Sequence, residues 1–171
     1  MARTLTFAEE AVADEPVIHK LNTEAFGQPD EAQLVRSLRE NGGLVFSAVA
    51  KLREEVVAHL AYSPIMIGGL ASEPPSLALA PVAVAPPHQR QGYGSALIRW
   101  SLDELRNRRC PAVIVLGEPA FYSRCGFQPA AHWNIFCPFD VPAEYFMALD
   151  LRDGALEGGV VVYRPEFAAL S

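Results

Sequence analysis

The segment from Ser76 to Leu116 limits the fold of this chain more than any other part of the sequence. It begins with SLALAPVAVA (Ser76–Ala85), an almost continuously apolar run that is typical of a strand buried on both faces. After a loop that contains glycines, apolar residues recur at helical spacing, and a second apolar run, AVIVL (Ala112–Leu116), follows. A helix that joins two buried strands predicts that the strands are parallel neighbours.

Pro81 lies inside the first of these strands and constrains it locally. Proline cannot donate a ladder hydrogen bond, and within sheets it is confined to edges or bulges. We therefore expect the strand to be bulged near Pro81 or to lose its neighbour there.

Two helices and a hairpin are predicted before this segment. Asp14–Phe26 and Glu31–Arg39 have apolar residues at near-helical spacing. GLVFSAVAKL (Gly43–Leu52) and VVAHLAYSPIMI (Val56–Ile67) are rich in strand-forming residues and flank a charged turn, which predicts an antiparallel hairpin.

The order of the elements predicts a mixed α/β (α+β) fold. Two late segments, FMALDL (Phe146–Leu151) and GVVVYRPEF (Gly159–Phe167), look like a closing pair of strands. With the hairpin and the crossover they give a mostly antiparallel central sheet that contains one βαβ unit. A chain of 171 residues with 50% hydrophobic side chains has the size of one domain, so we expect residues 1–171 to form a single domain.

Composition and charge exclude several classes of protein. A formal net charge of -6 is unsuited to coating nucleic acid, which requires clustered Lys and Arg. No run approaches the roughly 18 apolar residues of a membrane span and no signal pattern is present, so we expect a cytoplasmic protein without a membrane partner. Cys110, Cys125 and Cys137 lack metal or redox spacing, which predicts buried or free thiols and no metal site.

The loop PPHQRQGYGSALIRW (Pro86–Trp100) places Gly92 and Gly94 where the helix begins. A strand, a glycine-bearing loop and a helix in succession direct free backbone N–H groups at an anion, and the helix dipole adds a partial positive charge. A P-loop is excluded because no lysine follows Gly94, and a dinucleotide fingerprint is excluded because Leu97 occupies the place of its third small residue. The alternative without a ligand is a tight turn whose glycines allow close helix–strand packing.

Two longer stretches resemble a known family. LAPVAVAPPHQRQGYGSALI resembles the acyl-CoA signature of the GNAT N-acetyltransferase superfamily, and VLGEPAFYSRCGFQPA resembles the second half of the core of that superfamily. AHLAYSP (Ala58–Pro64) and PAEYFMALDL are similar to the branch called YhbS-like. The resemblance covers about Gly43 to Leu151, and it implies the GNAT-like fold and the use of acetyl-CoA as cosubstrate.

The resemblance also implies which residues hold the coenzyme. The main chain from Arg90 to Ser95 would bind the pyrophosphate of coenzyme A, and the strand Val82–Val84 would pair with its pantetheine arm. The implied coenzyme-binding residues are Val82, Ala83, Val84, Gln89, Arg90, Gln91, Gly92, Tyr93, Gly94 and Ser95. Where many family members have an asparagine seven residues before the family tyrosine, this chain has Val115, so coenzyme contacts from that side differ.

Acetyl transfer to an amine also requires proton transfer. Tyr122 matches the family tyrosine that serves as general acid to the coenzyme thiolate, with a core aromatic as the alternative. Glu118 is one candidate for the base, with a solvated loop acid or helix cap as the alternative. His59 is the other candidate because its intrinsic pKa is near 6.5, with a core histidine as the alternative.

The function implied is an acetyl-CoA-dependent N-acetyltransferase that moves an acetyl group directly to a primary amine in a ternary complex. The acceptor would be a small molecule or a peptide, and the enzyme a monomer or a homodimer. The alternative is a non-catalytic acyl-CoA-binding regulatory module, which would keep the loop but would need neither a base nor Tyr122.

Overall fold

The computed structural model describes residues 4–170 of the chain. These residues fall into two compact units. The first contains residues 4–62, 81–101 and 165–170, and the second contains Ser63–Ala80 and Leu102–Arg164. Two strands and one helix each contribute residues to both units.

The first unit begins with an antiparallel arrangement of strands. The strands are β1 (Leu5–Glu9), β2 (Phe46–Leu52) and β3 (Glu55–Pro64), the last of which ends in the second unit. Leu5 pairs with Leu52, and Phe46 pairs with Tyr62, so β2 is hydrogen-bonded on both sides. The β2–β3 hairpin is therefore confirmed, whereas β1 was not predicted.

Two helices and part of a fourth strand also belong to the first unit. The helices are α1 (Glu15–Phe26) and α2 (Asp30–Glu40), which agree with the two predicted segments. Apolar side chains from both helices pack on β2 and β3 and on Ala83 of a later strand. The buried members are Ile18, Leu21, Val35, Val49, Val56, Ala61 and Ala83. This packing explains why α1 and α2 are amphipathic.

The βαβ crossover has the predicted elements. They are strand β5 (Leu77–Val84), helix α3 (Tyr93–Asn107) and strand β6 (Ala112–Leu116), and a two-residue strand β4 (Met66–Ile67) precedes them. Strand β5 follows β3 in the sheet order, and its Leu77–Leu79 pair with Val113–Val115 of β6 in parallel. The ladder with β6 ends two residues before Pro81, in agreement with the predicted loss of a neighbour.

The second unit extends the sheet beyond β6. Strand β9 (Phe146–Asp150) pairs antiparallel with β6, and the short strand β7 (Gln128–Pro129) pairs antiparallel with β9. A five-residue helix, α4 (Pro119–Ser123), lies between β6 and β7 in the chain. The prediction of a mixed, mostly antiparallel sheet with one parallel crossover is confirmed.

One predicted pairing is wrong. Strand β10 (Gly159–Val162) is not the partner of β9 but the centre of a separate three-stranded sheet, between β4 and the short strand β8 (Ile135–Phe136). Its Val161 is fully buried with Ile135, Phe146 and Ile114 in the core of the second unit. Residues after Val162 leave the strand and form a 3-10 helix, Pro165–Ala169.

No helix among residues 4–170 is both long enough and apolar enough to cross a membrane. The expectation that residues 1–171 form one domain stays a prediction.

Candidate functional site

The loop between β5 and α3 has an unusual main-chain conformation. A 3-10 helix, Pro86–His88, follows β5, and α3 begins at Tyr93. Between them, Arg90 and Gly92 adopt φ angles of +63° and +83°. A Cβ on Gly92 would meet no atom within 4 Å, so the glycine is required by the left-handed backbone and not by a shortage of space.

This loop presents a run of unpaired main-chain donors. Within residues 4–170, the N–H groups of residues 90–95 donate to no other part of the chain, and the first bond of α3 runs from the N–H of Ala96 to the carbonyl of Gly92 (3.1 Å). The first turn of any helix leaves such groups free, and the positive end of the helix dipole lies at the same place. The loop is therefore suited to binding an anion.

Three polar side chains of the loop hydrogen-bond to main-chain carbonyls of the loop and of the end of β5. Gln89 Nε2 donates to the carbonyl of Val84 (3.0 Å), and Gln91 Nε2 donates to that of Pro87 (3.3 Å). Ser95 Oγ donates to the carbonyl of Gly92 (3.1 Å). These bonds fix the path of the main chain and leave the N–H groups available.

The preceding strand residues differ in burial. Ala83 is 2% exposed and belongs to the core of the first unit, whereas Val82 and Val84 are half-buried. Since the ladder with β6 ends at Leu79, β6 does not pair with the main chain of residues 82–84.

His59 lies in the interior of the first unit with both ring nitrogens occupied. Its exposed fraction is 0%; the amide of Asn22 donates to Nδ1 (3.0 Å), and Nε2 lies 2.8 Å from Ser47 Oγ. Because Asn22 donates to Nδ1, the ring proton is on Nε2 and is donated to Ser47. Burial, followed by the nearby positive charge of Arg39, lowers the pKa of His59 to about 3. These contacts fit the core-histidine alternative and disfavour a role as base.

Glu118 and Tyr122 belong to the second unit, where Glu118 is the N-cap of α4 and Tyr122 lies within that helix. Glu118 is exposed and caps α4 through its main chain, since its carbonyl accepts from the N–H groups of Phe121 and Tyr122 (both 3.1 Å). Its side chain makes no capping bond and is free to meet solvent or a ligand.

The ring of Tyr122 is enclosed by aromatic edges and by main chain. The ring centroids of Phe121 and Phe127 lie 4.9 and 5.8 Å away, both in edge-on geometry. Burial, with a smaller contribution from Cys125, raises the pKa of the Tyr122 phenol to about 12. The phenol is therefore protonated across the physiological range and able to donate a proton.

The structure groups the predicted residues in two sets. His59 and residues 82–95 belong to the first unit, and Glu118 and Tyr122 belong to the second. No group of three or more His, Cys, Asp or Glu side chains within residues 4–170 is arranged to hold a metal ion.

Three residues with clear roles were not singled out from sequence. Asn22 and Ser47 hold the ring of His59, but they lie 37 and 12 positions away from it, and no local pattern connects them. Gly117 lies directly against the ring of Tyr122. The sequence signal for Gly117 was its position, immediately after a buried strand and five residues before Tyr122.

Comparison with known proteins assigns the family. Residues 12–127 match the model of the acetyltransferase (GNAT) family. The chain is 36% identical over 161 residues to the uncharacterized N-acetyltransferase YhbS of Escherichia coli strain K12, covering 92% of this chain and 95% of that protein.

Two solved structures have the same fold over nearly their whole lengths. The crystal structure of Escherichia coli YhbS in complex with CoA superposes with a TM-score of 0.93 at 33% identity, covering 98% of this chain and 94% of that one. A GNAT family acetyltransferase from Brucella melitensis in complex with acetyl-CoA gives a TM-score of 0.82 at 28% identity, covering 97% and 99%. The chain thus belongs to the GNAT acetyltransferase family, as its crossover and glycine loop had indicated.

Proposed function

We propose that this protein is an acetyl-CoA-dependent N-acetyltransferase that moves the acetyl group directly to a primary amine within a ternary complex. The family assignment supports acyl transfer in general. The relatives solved with CoA and acetyl-CoA support the choice of coenzyme. The acceptor is proposed to be a small molecule or a peptide with a free amine.

The observation that carries the proposal is the run of free N–H groups at residues 90–95. A pyrophosphate offers several anionic oxygens, and consecutive main-chain donors at a helix start are suited to them. Because Gly92 has no Cβ and is exposed, nothing from its own side chain shields the donors on either side. The residues present therefore fit the pyrophosphate of coenzyme A.

Local charge supports the same site despite the net charge of -6. Screening limits the reach of distant surface charges to about 8 Å at physiological ionic strength, so neighbouring groups decide. Arg90 is exposed within the donor run and supplies a full positive charge beside the helix dipole.

Residues 82–84 are proposed to bind the pantetheine arm. Their main chain is not paired with β6, so it is available to a ligand that adds alongside β5 as a strand would. Ala85 donates to Val57 of β3, so the alternation along the strand directs the main-chain groups of Val82 and Val84 away from β3. Gln89 already donates to the carbonyl of Val84, which leaves Val82 as the more suitable partner.

Tyr122 and Glu118 are proposed to move protons during the transfer. Acetyl-CoA would supply a thioester whose thiolate must be protonated when it departs, and Tyr122 is the proposed donor because its phenol holds its proton at neutral pH. An alkylamine with a pKa near 10.4 must lose a proton before it attacks. Glu118 is the proposed acceptor of that proton, directly or through water, while His59 has a structural role in this proposal.

Calorimetric titration with acetyl-CoA tests the binding site. Gly92→Ala places a methyl group at a φ of +83°, and Gly154→Ala does the same at a φ of +75° in the second unit, where a Cβ likewise meets nothing within 4 Å. Both variants carry a similar conformational cost of about 1 kcal/mol. We expect only Gly92→Ala to weaken acetyl-CoA binding, by about tenfold or more; equal affinities in the two variants would argue against the site.

Measuring the release of free coenzyme A thiol with a panel of amines distinguishes an enzyme from a non-catalytic binding module. Saturable release that depends on an added amine supports the transferase. Tight acetyl-CoA binding without release on any amine would favour the non-catalytic module. We also propose that residues 1–171 act as one acyltransferase domain; cytoplasmic location and monomeric or homodimeric state stay predictions.

A further inference from the structure

Gly117 stands where β6 ends, and its main chain is held in place by a neighbouring segment. Its N–H donates to the carbonyl of Tyr145 (2.9 Å), next to the start of β9. Its φ is not in the left-handed region, so any residue could adopt its backbone conformation. The absence of a side chain at this position needs another reason.

The reason is the ring of Tyr122. A Cβ built on Gly117 would collide with Cε2 of that ring, and it would lie 3.0 Å from Cδ2 and 3.3 Å from Cζ. These three ring atoms are the nearest neighbours of that Cβ position. The phenol ring therefore rests on the main chain of Gly117 at a distance that only glycine permits.

Two aromatic contacts and two main-chain hydrogen bonds also hold Tyr122 in place. Phe121 and Phe127 present edge-on contacts, and the carbonyl of Tyr122 accepts from the N–H groups of Cys125 (2.9 Å) and Phe127 (3.2 Å). A ring displaced by a side chain at position 117 could not settle toward these neighbours. It would have to move outward.

We infer that Gly117 is a positioning residue for Tyr122: it allows the phenol ring to lie on the main chain at the end of β6 and so sets where the hydroxyl points. This inference rests on the proposed function, in which Tyr122 donates a proton to the departing thiolate. Displacement of a reacting group by about 1 Å can lower a rate by about 100-fold. Gly117 would thus control the rate without touching the substrate.

Steady-state kinetics on five proteins test the inference. They are the wild type, Gly117→Ala, Tyr122→Phe and the double variant, with Gly154→Ala as a glycine control in the same unit. We expect Gly117→Ala to lower kcat by about 100-fold with KM for acetyl-CoA changed by less than about threefold. In the Tyr122→Phe background the same change should alter kcat by less than about twofold, because the hydroxyl is already absent.

Either of two kinetic results would overturn the inference. One is a Gly117→Ala variant with kcat within about twofold of the wild type; the other is an undiminished loss in the Tyr122→Phe background. Full activity of Tyr122→Phe itself would instead refute the proposed role of the phenol, so the two failures are distinguishable.

Ionisation of the phenol gives a readout that needs no turnover. The protein is brought rapidly to pH 11, and its phenolate absorbance is recorded before alkaline unfolding begins. Subtracting the absorbance of the matching Tyr122→Phe protein leaves the contribution of Tyr122. With a pKa of about 12 the wild-type phenol should be about one-tenth ionised. A ring pushed into solvent in Gly117→Ala should be about nine-tenths ionised, since the ordinary pKa is near 10. Equal fractions in the two proteins would contradict the displacement, provided that near-ultraviolet circular dichroism at neutral pH shows both folded.

Discussion

The Nε2 atom of His59 lies 2.8 Å from the hydroxyl of Ser47, in a part of the first unit where neither side chain is more than 3% exposed. With Asn22 on the other ring nitrogen, the imidazole is held neutral between two polar partners. His59, which was a candidate base on sequence grounds, is thus part of the core.

This arrangement predicts that stability falls in mild acid. The pKa of His59 is about 3 in the folded protein and near 6.5 when the chain is unfolded, so between these values the unfolded state binds the additional proton. The contribution of neutral His59 to the free energy of unfolding is complete above pH 6.5. It declines as the pH falls, by at most about 1.4 kcal/mol per pH unit.

Thermal unfolding from pH 8 to pH 4.5 measures this effect. The dependence of Tm on pH should be weaker in His59→Gln than in the wild type, and unchanged in His19→Gln, because His19 is exposed. Parallel curves for wild type and His59→Gln would show that His59 does not account for the acid sensitivity.

Tyr122→Phe should lower kcat by about 100-fold while leaving acetyl-CoA affinity nearly unchanged, because only proton donation is removed. Tyr145→Phe, a half-buried tyrosine of the same unit, is the matched control. The measurement is thiol release under saturating acetyl-CoA with the best amine of the panel. A rate within twofold of the wild type would rule out Tyr122 as the donor.

Glu118→Gln should lower kcat/KM by about 100-fold near neutral pH, because the proposed acceptor of the amine proton is removed. The side chain is exposed and makes no capping bond, so folding should be unaffected. Glu144→Gln, exposed in the same unit, controls for the loss of one negative charge. A kcat/KM within about twofold of the wild type would assign the proton transfer to water or to another group.

Arg90→Gly should weaken acetyl-CoA binding by about three- to tenfold at low ionic strength, and the difference from wild type should shrink toward 1 M salt. Glycine suits the φ of +63° at this position, so the variant removes the charge without straining the loop. Arg109→Gly, with a φ of +62° and an exposed side chain, is the matched control. Equal salt dependence in both variants would contradict a direct role for Arg90.

The elements that were predicted well from the sequence are those whose burial is either periodic, as in a helix, or nearly continuous, as in a central strand. Leu97, Ile98, Leu102 and Leu105 of α3 are each at most 2% exposed, and both strands of the crossover are buried throughout most of their length. Strand β1 was missed because its burial is weak, with residues that alternate only between half-buried and exposed. Its position at the edge of the sheet explains this pattern.

The choice of strand partners was harder to predict than the strands. Gly159–Val162 reads as a strand, but its pairing with Met66–Ile67 depends on the close approach of Gly68 to Gly159, where a Cβ on Gly159 would lie 2.5 Å from the Gly68 Cα. Contacts of that kind join residues about ninety positions apart and leave no trace in local periodicity. The partners of His59 were hidden for the same reason.

The proposed main-chain recognition of coenzyme A at residues 90–95 would affect how such a site changes over evolution. A donor that belongs to the peptide group survives replacement of almost any side chain, so a position such as Tyr93 is free to vary as long as the loop keeps its path. Selection would act on the left-handed positions, Arg90 and Gly92, and on side chains that hold the loop, such as Gln91. Two homologues with dissimilar loops would then bind the same coenzyme equally well.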